Sequence, residues 1–270
     1  MGALMRRYWI PAFFSRDLPA SQPLRGKLLG ENLVAFRDAG GRVGLIDERC
    51  AHRRASLFFG RKEADGLRCT FHGWKFDTEG RCIDRPVPED GEACGDEAVV
   101  KAYPCIERAG LIWTYMGEAG AQPRFPRLEW MLVPEEHRVA SRELRKVNWL
   151  HALEQDPGAP DAPPLLTPPF HTMVKRGALP DSASRANAWV PVDDRHVMVY
   201  TVHYSTARAV LADDAAPVPA ADAAAHTGIR ADVRSCLLDL LDGIDGEEMA
   251  DNVLEPLLSS RIPAASVAAG

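Results

Sequence analysis

Residues 47–86 read DERCAHRRASLFFGRKEADGLRCTFHGWKFDTEGRCIDRP, and two short pieces of that run decide the fold. Cys50-Ala51-His52 and Cys69-Thr70-Phe71-His72 each offer one thiolate and one imidazole, with sixteen residues between His52 and Cys69. Outward from these loops the chain reads as short apolar runs divided by turn residues. Leu28-Leu29, Leu33-Val34-Ala35-Phe36 and Val43-Gly44-Leu45-Ile46 are such runs, with Gly40-Gly41 as a hairpin signal. Further strands are expected near Gly66–Cys69, Lys75–Phe76, Val99–Tyr103 and Leu111–Tyr115, and a tight turn at Asp77-Thr78-Glu79-Gly80. Many short strands at this spacing indicate an antiparallel, β-rich domain with the two loops at its tip.

Two Cys/His pairs can hold a [2Fe–2S] cluster of the Rieske type, in which two cysteines bind one iron and two histidines the other. Neutral imidazoles in place of two thiolates reduce the cluster's negative charge and raise its potential, which suits one-electron transfer. Three other readings of the donors compete. Structural zinc usually pairs cysteines in one knuckle and histidines in another, unlike the mixed loops here. A disulfide is at odds with an intracellular chain. Plain core thiols do not account for two Cys-His pairs beside Gly73 and Trp74.

The run 47–86 resembles the Rieske domain of Rieske non-haem iron oxygenases. RRYWIPAFFSRDLPA near the N-terminus, GENLVAFRD at 30–38 and YPCIERAGLIWTYMG at 103–117 are similar to the phthalate dioxygenase and vanillate demethylase branch. The resemblance implies that Cys50, His52, Cys69 and His72 are the cluster ligands. It also implies a flavin/[2Fe–2S] reductase or a ferredoxin as electron donor, and a homo-oligomer, a trimer in the family. High-potential respiratory relatives carry an extra cysteine in each loop. Arg53-Arg54-Ala55 and Thr70-Phe71 stand there instead, as in the low-potential oxygenase type. Arg53 and Arg54 either dock an acidic partner, reach an internal carboxylate or are plain solvated charge.

The implied fold class is α+β: a β-rich antiparallel Rieske domain, followed by a reduced α+β remnant of the oxygenase catalytic domain. The expected divisions are residues 1–120 for the Rieske domain with its lead-in segment, whose aromatic anchors are Tyr8, Trp9, Phe13 and Phe14, and 121–137 for a Pro/Gly-rich linker. A partial catalytic domain follows at 138–205, then an alanine-rich linker and a C-terminal helix at 206–270 carrying Val233, Cys236, Leu237, Leu240 and Leu241.

Asn148-Trp149-Leu150 resembles the start of the family's helix toward a mononuclear iron. That helix implies a bridging aspartate and two histidines, completed by a later carboxylate as a facial triad. Aligned without gaps, those three positions fall on Gly158, Asp161 and Leu166. Four prolines and a glycine between Pro157 and Pro164 cannot continue a helix. His151, Asp156, Asp161, His171 and His203 are the nearest substitutes, but none shows the spacing of a chelate. A mononuclear Fe(II) site is therefore doubtful, and no catalytic residue is assigned.

Composition narrows the function classes. The 270-residue chain is 46% hydrophobic and 26% charged with a net charge of −6, ordinary for a globular protein and unsuited to nucleic acid. No apolar run reaches membrane-span length. Arg6-Arg7 is followed by short apolar pieces broken by Pro11, Arg16 and Pro19, which excludes a signal peptide. A cytoplasmic protein with no membrane contact is expected, with Cys82, Cys94, Cys105 and Cys236 as free thiols. Three functions remain: a Rieske electron carrier with a degenerate oxygenase site, a working oxygenase acting on an aromatic acid with O2, and a non-redox binding module.

Overall fold

The structure, a computed structural model, describes residues 2–86, 98–154, 165–167, 171–175, 183–211 and 214. A short helix α1 (Gly2–Arg6) leads into β1 (Trp9–Phe14), β2 (Leu24–Leu28), β3 (Glu31–Arg37) and β4 (Val43–Asp47). Four very short strands follow: β5 (Arg61–Lys62), β6 (Leu67–Arg68), β7 (Lys75–Phe76) and β8 (Cys82–Asp84). β9 (Ala102–Tyr103), β10 (Cys105–Arg108) and β11 (Leu111–Tyr115) complete the first half. The second half holds β12 (Arg138–Arg145), helix α2 (Trp149–Glu154), β13 (Leu165–Thr167), β14 (His171–Lys175), β15 (Ser184–Asp193) and β16 (His196–Tyr204).

Every strand pairing among the described residues is antiparallel. The sheets run β1-β11-β10, β2-β3-β4-β9, β5-β6-β7-β8 and β12-β16-β15-β14-β13. The β-rich expectation for the first half holds. The second half is likewise a sheet, with one short helix among its described residues.

Period-two alternation explains the unbroken apolar run in β3. Leu33 and Ala35 face the main core with Leu45, whereas Val34 and Phe36 face a second core under the β5–β8 cap with Ile46. A strand buried on both faces has no polar position to spare. β15 and β16 repeat the device. Ala188, Val190, Tyr200 and Val202 join the main core with Trp9, Phe14 and Trp113. Trp189, Val197 and Val199 face the other way, onto Leu4 and Met5 of α1 and Trp149 and Leu153 of α2. Asn148 starts α2 by accepting the Leu150 N–H on its side chain at 3.0 Å.

The two halves are clamped together. The β2–β3 turn places Leu29 (φ 47°) and Gly30 (φ 83°) in left-handed geometry. Their N–H groups donate to the carbonyls of Pro191 (3.0 Å) and Val192 (2.9 Å) on β15. Lys27 reaches Asp193 at 2.9 Å beside them. The Pro/Gly-rich stretch 121–137 lies on the core. Trp9 Nε1 donates to the Pro123 carbonyl at 2.9 Å, and the buried Trp130 stacks on Trp113 with ring centroids 6.1 Å apart.

The lead-in aromatics form more than anchors. Residues 9–14 are a fully buried strand paired to β11, with an irregularity between Pro11 and Phe13. The proline-rich stretch from Pro157 to Pro164, the alanine-rich tract beyond Asp214 and the C-terminal helix lie outside the described residues.

Candidate cluster site

The first loop leaves β4 and the second joins β6 to β7, so both project from the β5–β8 cap. Cys50 and Cys69 are 1% and 3% exposed and belong to the core under that cap, with Leu57, Leu67 and Phe76. The four described cysteines, Cys50, Cys69, Cys82 and Cys105, form no disulfide; Cys94 and Cys236 lie outside the described residues. Burial pushes the Cys50 thiol up to about 11; backbone N–H groups of His52 and Arg53 pull against it, and the nearby Cys69 sulfur adds to the rise. Those two N–H groups would serve a thiolate once a metal displaces the proton.

His52 and His72 meet edge to face with centroids 4.6 Å apart. Burial lowers the His52 pKa, and the neighbouring His72 and Arg53 lower it further, which favours the neutral form that a metal ligand requires. Its Nδ1 is buried and has no hydrogen-bond partner among the described residues. Trp74 lies parallel on His52, 4.8 Å away and 5° from coplanar, and Phe71 flanks His72 at 4.1 Å. Sequence reasoning quoted Trp74 without a role; its stacking depends on the loop's turn, which spacing does not encode.

The donor set fits the cluster. Two sulfurs and two imidazoles are gathered from two loops, and the orphaned His52 Nδ1 is the kind of atom an iron would satisfy. No three His, Cys, Asp or Glu side chains converge on one point among the described residues. A two-iron centre asks for only two protein ligands at each metal, so this is compatible with it.

The other candidates stay apart. His151 is exposed on α2, and His203 is buried on β16. His171 lies on β14 with β15 between it and β16; it pairs with Ala188, whereas His203 pairs with Arg185. Leu166 falls on β13, while Asp156, Gly158 and Asp161 lie outside the described residues. Arg53 and Arg54 are exposed and make no ion pair among the described residues; Phe71, against His72, is 65% exposed.

Residues 8–104 match the family described as Rieske [2Fe-2S] domain. A stretch of 155 residues is 49% identical to the 3-chlorobenzoate-3,4-dioxygenase oxygenase subunit of Comamonas testosteroni, covering 57% of this chain and 36% of that subunit. Over 158 residues it is 40% identical to the phthalate 4,5-dioxygenase oxygenase subunit of Pseudomonas putida, again covering 57% and 36%. The N-terminal part of this chain belongs to the Rieske ring-hydroxylating oxygenase family. The Rieske domain implies a [2Fe–2S] cluster and one-electron transfer. The matched stretch spans about a third of those oxygenase subunits. In fold, the chain is similar to dicamba monooxygenase, with a TM-score of 0.65, 18% identity and coverage of 90% of this chain and 92% of that one. It is also similar to the oxygenase in a carbazole 1,9a-dioxygenase–ferredoxin complex, with a TM-score of 0.61, 18% identity and coverage of 76% and 73%. No helix among the described residues is long and apolar enough to cross a membrane.

Proposed function

We propose that this chain is a Rieske electron carrier in which Cys50 and Cys69 hold one iron and His52 and His72 hold the other. The pairing of one thiol and one imidazole on each of two facing loops carries the reading. The bound cluster supplies reversible one-electron chemistry. The protein's own residues do the rest: Leu57, Leu67 and Phe76 exclude water from the sulfur side, and the half-buried histidines lead toward the surface. A flavin/[2Fe–2S] reductase or a ferredoxin docks at that tip, where exposed Phe71 offers apolar contact and Arg53 and Arg54 attract an acidic partner. The family's mononuclear-iron positions fall on Gly158, Asp161 and Leu166, so a working Fe(II) centre is not part of this reading. The setting is cytoplasmic.

The test is anaerobic purification with iron, sulfide and zinc analysis, followed by EPR of the reduced protein. About two irons and two acid-labile sulfides per chain with a low average g are expected. Stoichiometric zinc without iron sinks the reading. With added Fe(II), a reductase and aromatic acids, the cluster is reduced but no hydroxylated or demethylated product forms. Substrate-dependent O2 uptake coupled to product, abolished by His171→Ala or Asp161→Ala, would instead establish the second reading, a working oxygenase. The curated relatives, themselves oxygenase subunits, keep that outcome in the experiment.

A further inference from the structure

The two cluster loops are built on one plan. In each, the residue four after the cysteine returns its N–H to the cysteine carbonyl: Arg54 to Cys50 at 2.9 Å and Gly73 to Cys69 at 3.0 Å. The cysteine N–H donates to the carbonyl five residues on, Ala55 at 2.9 Å and Trp74 at 2.8 Å. The fourth residue is left-handed in both, with φ 59° at Arg54 and 76° at Gly73. Before each cysteine stands an arginine whose Nη1 donates to the carbonyl of that left-handed residue: Arg49 to Arg54 at 3.3 Å, and Arg68 to Gly73.

The plan is executed unequally. Arg49 is exposed, and its long bond to Arg54 is the one its side chain makes among the described residues. Arg68 is partly buried and locked on its remaining nitrogens. Nε and Nη2 grip Glu63 at 2.7 and 3.0 Å, and Nη2 also reaches Asp84. Glu63 is fixed in turn by Arg61 at 2.7 Å. A planar guanidinium can serve three acceptors at set angles, which an ammonium cannot. His72 directly precedes Gly73, so pinning the Gly73 carbonyl sets the direction in which the imidazole leaves the chain.

We propose that Arg68 is a positioning residue for electron transfer: it holds the second loop, and through it the His72 ring, in ligating geometry. The first loop has only a weak counterpart in Arg49. This rests on the reading of His72 as an iron ligand.

The test uses the full chain with its cluster, comparing Arg68→Met, Arg68→Lys and Arg49→Met. Cluster loss to a chelator should be about 10-fold faster in Arg68→Met, the usual cost of losing a ligand's outer support. The nitrogen hyperfine coupling of one imidazole should change with it. Arg68→Lys should restore only part of both, and Arg49→Met should stay within about twofold of the parent, as an exposed contact does. A parent-like loss rate and coupling in Arg68→Met overturns the proposal, as does an equal effect in Arg49→Met. Should Arg68→Met fail to fold, Glu63→Gln and Asp84→Asn decide, because they release the arginine without removing it; unchanged coupling in both then overturns it. A parent protein without iron would defeat the ligand reading, whereas a loaded parent with an indifferent Arg68 variant defeats this proposal alone.

Discussion

The β5–β8 cap and the β12–β16 sheet solve the same problem by opposite means. Cap strands are two or three residues long, so their ladders hold few hydrogen bonds. A small apolar plug is supplemented by charged pins, in which Arg68 joins Glu63 and Asp84, Lys75 reaches Asp65 at 2.9 Å and Arg81 reaches Asp77 at 2.9 Å. In the larger sheet, β15 and β16 run ten and nine residues and bury Trp189, Tyr200 and Tyr204 almost completely. Apolar burial gives bulk stability without direction, whereas short ionic hydrogen bonds give direction with little bulk. A redox centre needs its ligands aimed, and the aimed part is the pinned one.

Removing a cluster donor should separate the two regions most sharply. Cys69→Ser should take cluster iron and sulfide to none, while the thermal unfolding of the second sheet persists; loss of both together would mean that the sheets are not independent. Trp189→Ala comes next. Emptying that site should cost about 3–5 kcal/mol in denaturant unfolding while leaving the reduced EPR spectrum unchanged.

Acid should act on the cap first. Hydrogen bonds from Arg68 and then Arg61 hold the Glu63 carboxyl down to about 2, against an ordinary 4.5. A depressed carboxyl stabilises fully above its unfolded pKa, so this contribution is whole above 4.5 and is lost as pH falls through about 2. Amide exchange in residues 61–84 should rise over that window before exchange in β15 and β16, and Glu63→Gln should flatten the response. The smallest effect belongs to the first loop. Arg54 adopts a left-handed φ of 59°, and Arg54→Gly should gain about 0.5–1 kcal/mol of stability in chemical denaturation. No gain would mean that the loop already bears no strain.

Legibility followed the kind of constraint. The cluster loops could be read because chelation demands particular side chains at close spacing; the structure sets His52 against His72 and Cys50 near Cys69. The alternation of β16 was visible because Val197 and Val199 face one layer and Tyr200 and Val202 the other. β1 was harder, since Pro11 interrupts it and all six of its residues are buried, leaving no polar rhythm. The Arg68 cage was not legible at all. Glu63 and Asp84 reach it only through the register of three hairpin pairings among four strands, and charged residues so spaced look the same as a solvated surface. The order β12-β16-β15-β14-β13 likewise depends on tertiary packing that no local pattern records.

The parallel stack of Trp74 on His52 has an optical consequence. An indole that close to an iron–sulfur chromophore returns its excitation to the metal rather than emitting it. Of the six tryptophans in the chain, Trp74 lies on His52, so if that histidine holds the cluster its fluorescence should be dark while the loops are filled and bright once they empty. The protein thereby carries a built-in gauge of its own occupancy, readable in dilute solution without adding a dye.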